Sequence, residues 1–169
     1  MPRIEHQRAV EMPAGLLTTS LKEVLSGIAD QTGPWRDFAL HLHLSDIGLP
    51  DVGYVAIPIH LQHRSKASDS GQTETELRIE ATKNPSSFPV FEGRCGVNAV
   101  SASRANVWLA GIYTVPLRTF GAFFDATLLH GAASRCLENF LDDIITASKA
   151  RIEDQEQEFM RYHLLGGAR

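Results

Sequence analysis

Cysteine is scarce in this chain. Cys95 and Cys136 are its two cysteines, far apart in 169 residues, which excludes a disulfide-stapled scaffold and makes two buried free thiols the expectation. Long apolar runs are also missing. No stretch approaches the roughly 20 residues that cross a bilayer, and the opening "MPRIEHQRAVEMP" lacks the apolar core of a signal peptide. The expectation is a cytoplasmic protein with no membrane span. There is no surplus of positive charge either. Sixteen Lys and Arg against 20 Asp and Glu give a formal net charge of -4, and the basic residues are scattered, so nucleic acid is not expected as a partner. No Gly-x-Ser-x-Gly elbow, nor any other motif, assembles a nucleophile with a base and an orienting group. What remains, 43% hydrophobic and 21% charged residues, suits one domain large enough to bury a core.

Periodicity divides the chain. Ile4, His6, Arg8 and Val10 alternate along a first strand that Pro13 ends. Leu17, Leu21, Val24, Leu25 and Ile28 recur at helical spacing from Ala14 to about Gln31, as one helix or two short ones, before Gly33 and Pro34 stop the pattern. In "DFALHLHLSD" the apolar Phe38, Leu40, Leu42 and Leu44 alternate with His41 and His43 as in a strand, whereas Trp35, Phe38, Ala39 and Leu42 would suit a helix. Val55, Ile57, Ile59 and Leu61 mark a clear strand, in which Pro58 requires a free edge or a bulge. Leu77, Ile79 and Ala81 face inward on the next strand, and Phe91, Cys95, Val97 and Ala99 on the one after. Their outward Arg78, Glu80, Glu92 and Arg94 are complementary across an antiparallel pair. The last strand offers Val107, Leu109 and Tyr113 on one face, with Trp108 and Ile112 on the other.

A long helix then follows, with Thr119 as a plausible cap and Asp125 near its positive end. Leu128 and Leu129, Cys136 and Leu137, Phe140 and Leu141, and Ile144 and Ile145 form a stripe that rotates slowly, as suits a helix lying across a twisted sheet. About 25 helical residues suffice to cross such a sheet, so packing should finish near Ala147. The remaining "SKARIEDQEQEFMRYHLL" stays helix-compatible to Gly166. Leu141, Ile145, Ile152, Phe159 and Tyr162 approximate a heptad seam there, interrupted by Ser148 and Gln155. Either this end is a solvated helix, or it packs on a second copy as a homodimer or across the protein's own cavity mouth.

The segments "FPVFEG" and "VWLAGIYTVPLRTFGAFFDATLLHGAA", running into "CLENFLDDI", resemble the C-terminal half of the START-like, SRPBCC superfamily. The matching positions are Gly111, Tyr113, Pro116, Gly121, Asp125, Ala132 and Ala133. The resemblance implies an α+β helix-grip fold over residues 1–148, a bent antiparallel sheet wrapped around the long C-terminal helix, with 149–169 as an overhang or flexible tail. It also implies a cavity between sheet and helix that takes a lipid, polyketide or aromatic metabolite. Some members of the superfamily are cyclases or dehydratases, and fold does not decide function.

The sheet would contribute Phe91, Cys95, Val97, Leu109 and Tyr113 to that cavity, and the helix Phe120, Phe124, Asp125 and Leu129. Asp125 would serve as an acid or base at the mouth, or stabilise the helix end. Tyr113 would donate to a ligand carbonyl, or be a half-buried aromatic whose hydroxyl meets water. Cys95 is a nucleophile only if a base adjoins it, and otherwise a small core residue. His41 and His43, with His60 placed diagonally by pairing Ala39 with His60, form part of a zinc set that no further ligand completes. Solvated histidines are the alternative, and neither metal nor cofactor is expected.

Overall fold

A computed structural model describes residues 3–47, 50, 52–67, 73–83, 89–114 and 126–166. Strand β1 (Arg3–Val10) leads into helix α1 (Ala14–Ala29), and after a short turn at Gly33–Trp35 come β2 (Ala39–His43), β3 (Tyr54–Ala67), β4 (Thr73–Ala81), β5 (Val90–Ser101), β6 (Arg104–Thr114) and helix α2 (Ala126–Gly166). The strands form one antiparallel sheet in the order β1-β6-β5-β4-β3-β2. This is a helix-grip fold, a sheet whose two edge strands both meet the long helix.

Each element follows from its residues. In α1 the five apolar positions of the helical pattern, Leu17, Leu21, Val24, Leu25 and Ile28, are all buried. The helix ends where Gln31 and Gly33 take left-handed backbone angles, φ 51° and 56°. A single helix with a short turn therefore stands between the first two strands. Residues 39–43 are strand, since Leu40 and Leu42 pack beside Ile57, Ala81 and Cys136.

Pro58 marks a handover. Residues Tyr54 to Pro58 of β3 pair with β2, whereas Ile59 to Ala67 pair with β4, so the proline sits where one ladder ends and the next begins. Ala39 lies opposite Pro58, not His60, which corrects the expected register by two residues. Such a shift keeps every side chain on its face, so the apolar pattern cannot detect it. Two expected inward residues lie beyond the covered region: Val55 is 43% exposed and Ala99 is exposed. On the outer face Arg78 pairs with Glu92 across the strands, as charge alternation suggested, and also with Glu80 of its own strand, while Arg94 pairs with Glu74 and not with Glu80.

The core joins α1, the inner face of the sheet and the middle of α2. Leu17, Leu25, Leu61, Ile79, Leu109, Phe140, Leu141 and Ile144 are fully covered within it. Helix α2 remains buried as far as Ile152 rather than stopping near Ala147, because its last partner is α1 and not the sheet. There the Ser20 hydroxyl donates to the Ser148 carbonyl at 2.8 Å, and Ser148 Oγ donates to Ile144 O at 2.7 Å. The serine that interrupts the apolar seam is thus satisfied inside the helix contact.

Both sheet edges bind α2. From β1, Arg8 Nε donates to Asp142 Oδ1 at 2.8 Å and Arg8 Nη2 to Glu138 Oε1 at 2.6 Å, while His6 Nε2 donates to Ser134 O at 3.0 Å. From β2, the His41 carbonyl accepts from Asn139 Nδ2 at 2.9 Å, and His41 Nδ1 lies 3.2 Å from Asp143 Oδ2. The Arg8 hydrogen bond, above all, holds the Glu138 carboxyl below its ordinary pKa, against an opposing desolvation.

A depressed folded pKa stabilises the protein above the unfolded value of about 4.3, and that contribution is lost as pH falls through the folded pKa. Because Arg8 is one-third exposed, the pair is screened. Glu138→Gln should therefore cost about 1 kcal/mol at pH 7 by urea denaturation, with the difference from wild type shrinking as pH falls through the folded pKa of the carboxyl. A difference that persists undiminished in acid would separate it from this ion pair.

Candidate functional site

Where β6 ends and α2 begins, the inner face of the sheet changes character. Phe91 and Tyr113 lie opposite each other on β5 and β6, both buried at 2–3% exposure. One layer along, Ile4, Gly111, Gly93, Leu77 and His63 follow across five strands. The two glycines are directly paired. A Cβ on Gly111 would fall 2.7 Å from Phe91 Cε2 and one on Gly93 would fall 2.5 Å from Phe91 Cζ, with backbone atoms of the opposite strand equally close. The bare backbones permit the strands' close approach and let the Phe91 ring lean across them.

Besides the Thr75 hydroxyl, buried farther along β4 opposite Cys95, two polar groups break the apolar surface. The Tyr113 hydroxyl lies 2.7 Å from His130 Nδ1 of α2, a direct hydrogen bond, and the two rings stack with centroids 5.5 Å apart. Burial raises the Tyr113 pKa, so the hydroxyl keeps its proton at neutral pH. His130 itself is exposed. The second group is His63, which follows Leu61 on the inward register of β3. Its Nδ1 is buried and has no hydrogen-bond partner among the described residues, a state that costs about 1–3 kcal/mol until a polar atom meets it.

The other expected site residues fall into two groups. Cys95, Val97 and Leu109 belong to the core cluster with Leu137, Phe140, Leu141 and Ile144. Burial pushes the Cys95 thiol up to about 12, so it carries no thiolate at neutral pH, and Cys136 is likewise pushed up to about 12 by burial and the Asp46 charge. Thr119, Phe120, Phe124 and Asp125 lie outside the described residues, as does Leu129's side chain.

His41, His43 and His60 do not come together as a set. His60 is on the outer face opposite Glu80, while His41 is bound to Asp143 and stands edge-on to Tyr54 at 5.0 Å. His41, His43, Tyr54, Asn139, Asp142 and Asp143 line an open groove of about 350 Å³. Among the described residues, no three His, Cys, Asp or Glu side chains converge as a metal site, and no helix is long and apolar enough to cross a membrane.

His63 and His130 are the polar groups that sequence reasoning did not single out. Both had a signal: His63 continues the inward series Ile57, Ile59 and Leu61, and His130 stands seven residues before Leu137, on the same helical stripe.

No protein-family model matches the chain, and no curated protein does. Solved structures similar to it include a conserved protein from Geobacillus kaustophilus, at 10% identity and a TM-score of 0.51 over 88% of this chain and 96% of that one. Others are the Zhui aromatase/cyclase from Streptomyces sp. R1128, at 14% identity and TM-score 0.44 over 89% and 95%, and Ara h 8.0201, at 12% identity and 0.48 over 90% and 98%. At such identities the likeness is one of chain fold alone, the helix-grip arrangement of sheet and long helix.

The paired glycines carry a direct expectation. Gly111→Ala must push Cβ into Glu92 O and the Phe91 ring, so it should destabilise by about 1–3 kcal/mol, a loss of roughly 3–10 °C in Tm. Gly15→Ala, where nothing lies within 4 Å of the new Cβ, is the control and should be neutral or stabilising in the same thermal melt.

Proposed function

We propose that the chain binds a hydrophobic small molecule between the inner face of the sheet and the first turns of α2. The observation that carries this reading is the Tyr113–His130 hydrogen bond, a polar anchor at the end of an otherwise apolar surface. Small-molecule sites have this composition, mostly apolar walls with a few convergent polar groups that set orientation. Phe91, whose ring lies against Gly93 and Gly111, supplies an aromatic surface beside the anchor. The unpartnered His63 Nδ1 supplies a second polar point on the same inner face. In this reading the ligand is a lipid, polyketide or aromatic metabolite with at least one oxygen for the Tyr113 hydroxyl. Phe120, Phe124, Asp125 and Leu129 remain proposed members of the same site.

The same hydrogen bond favours one second reading. His130 Nδ1 can take a proton from a ligand carbon while the Tyr113 hydroxyl, turned from that nitrogen to the ligand, gives its own to the carbonyl oxygen; the imidazolium then returns a proton to the tyrosinate, which is the acid–base equipment of a cyclase or dehydratase. Binding needs only the anchor, whereas turnover needs the pair.

A fluorescent naphthyl ketone tests the binding. It should be taken up saturably with a Kd in the micromolar range, and Tyr113→Phe should weaken it about 5- to 10-fold, the loss of roughly one hydrogen bond, with little change in Tm. Absence of saturable uptake, or uptake indifferent to both Tyr113→Phe and His130→Ala, would remove the basis of the proposal.

A further inference from the structure

The last turns of α2 leave the body of the protein. Arg151 and Gln155 still reach Glu23 of α1, and Ile152 is the last buried side chain; from Glu153 to Leu164 every residue is exposed. Phe159, Met160, Tyr162 and Leu164 are 60–77% exposed, so of the alternatives for this end, packing of these side chains across the protein's own cavity mouth is not the one seen. At 100° per residue these four side chains span roughly 200° of the helix circumference. A free helical end of this length is marginal in water by itself, and clustered large apolar side chains on it mark an interaction surface.

Charge selects the occupant. Residues 153–158 hold Glu153, Asp154, Glu156 and Glu158 and no basic residue, whereas residues 159–166 hold Arg161 and His163 and no acidic one. A cluster preceded by four carboxylates is repelled by an anionic membrane surface. Two copies in parallel would set the carboxylates against each other. Two copies in antiparallel set the acidic half of each beside the basic half of the other, with the apolar cluster between them.

We infer that the exposed end of α2 is a self-association surface on which two copies pair antiparallel. Phe159 packs against Met160 of the partner subunit, and Glu158 lies beside Arg161 of the partner subunit. The overlap of about 13 residues is some 20 Å long. It buries less than a standard interface of about 1,600 Å², so the dimer is a weak one with a Kd in the micromolar range.

Sedimentation velocity on the full chain at low salt, from roughly 5 to 300 µM, reads this directly. The wild type should pass from monomer to dimer with concentration, and less readily at about 0.5 M salt. Glu158→Arg and Arg161→Glu should each weaken association at least tenfold, and the double variant should restore it, because the exchanged charges again oppose. Phe159→Glu should remain monomeric, with circular dichroism confirming the folded domain, and Met160→Glu serves the same purpose if Phe159→Glu is unfolded. A wild type still monomeric at the highest concentration overturns the inference. So does a dimer that survives both single charge variants, or one that the double variant fails to restore. A monomeric chain that co-sediments with uncharged phosphatidylcholine vesicles overturns it too and assigns the surface to lipid.

Discussion

The structure depends on the closure of a bent sheet by one helix that touches both of its edges. A strand order of β1-β6-β5-β4-β3-β2 leaves β1 and β2 with unpaired backbone groups and inward side chains, a liability unless covered. Residues Ser134 to Asp143 of α2, less than three turns, cover both. Arg8 and His6 bind Glu138, Asp142 and Ser134 from one side, while His41 binds Asn139 and Asp143 from the other. These contacts are half-exposed and individually worth little. Their importance is positional: apolar burial supplies the stabilisation, and the polar clasps fix where along its axis the helix lies. That placement puts His130 one turn before the clasp and within reach of Tyr113.

Polarity is distributed to match. The interior around Phe140 and Leu141 is apolar, and Ser20 and Ser148 are satisfied within the contact between the two helices. By contrast, the end near β6 holds a hydroxyl bonded to an exposed imidazole and a buried imidazole nitrogen with no partner among the described residues. Evenly packed cores do not keep such groups without cause. The two ends of the grip therefore differ: one is finished by α1, and the other carries the polar atoms on which the proposed site rests.

Much of the fold was legible because its side chains follow simple periods. Leu77, Ile79 and Ala81 alternate and are buried, and Leu17 to Ile28 recur at helical spacing and are buried as one helix. Ambiguity came where a period is too short to read: residues 39–43 are five residues of strand, long enough to build an edge and too short to exclude a helix. Long-range geometry left no trace. The Ala39–Pro58 register differs from Ala39–His60 by a slip of two, to which the apolar pattern is blind. The His41–Asp143 contact joins residues 102 apart, so His41 read as a solvated or metal-binding side chain when it is a clasp. Of the candidate site, Tyr113 and Phe91 were legible as inward aromatics. Tyr113's partner was not, because that hydrogen bond exists only once the helix is placed.

The account's central claim is that the β6–α2 end of the grip holds a hydrophobic small molecule, and native mass spectrometry of the protein purified gently from the organism that makes it addresses that claim most directly. The account predicts a population heavier than the 18.6 kDa chain by the mass of one small organic molecule, released under denaturing conditions and diminished in Tyr113→Phe. A single species at the mass of the bare chain, unchanged after incubation with apolar ketones and lipids, would contradict it.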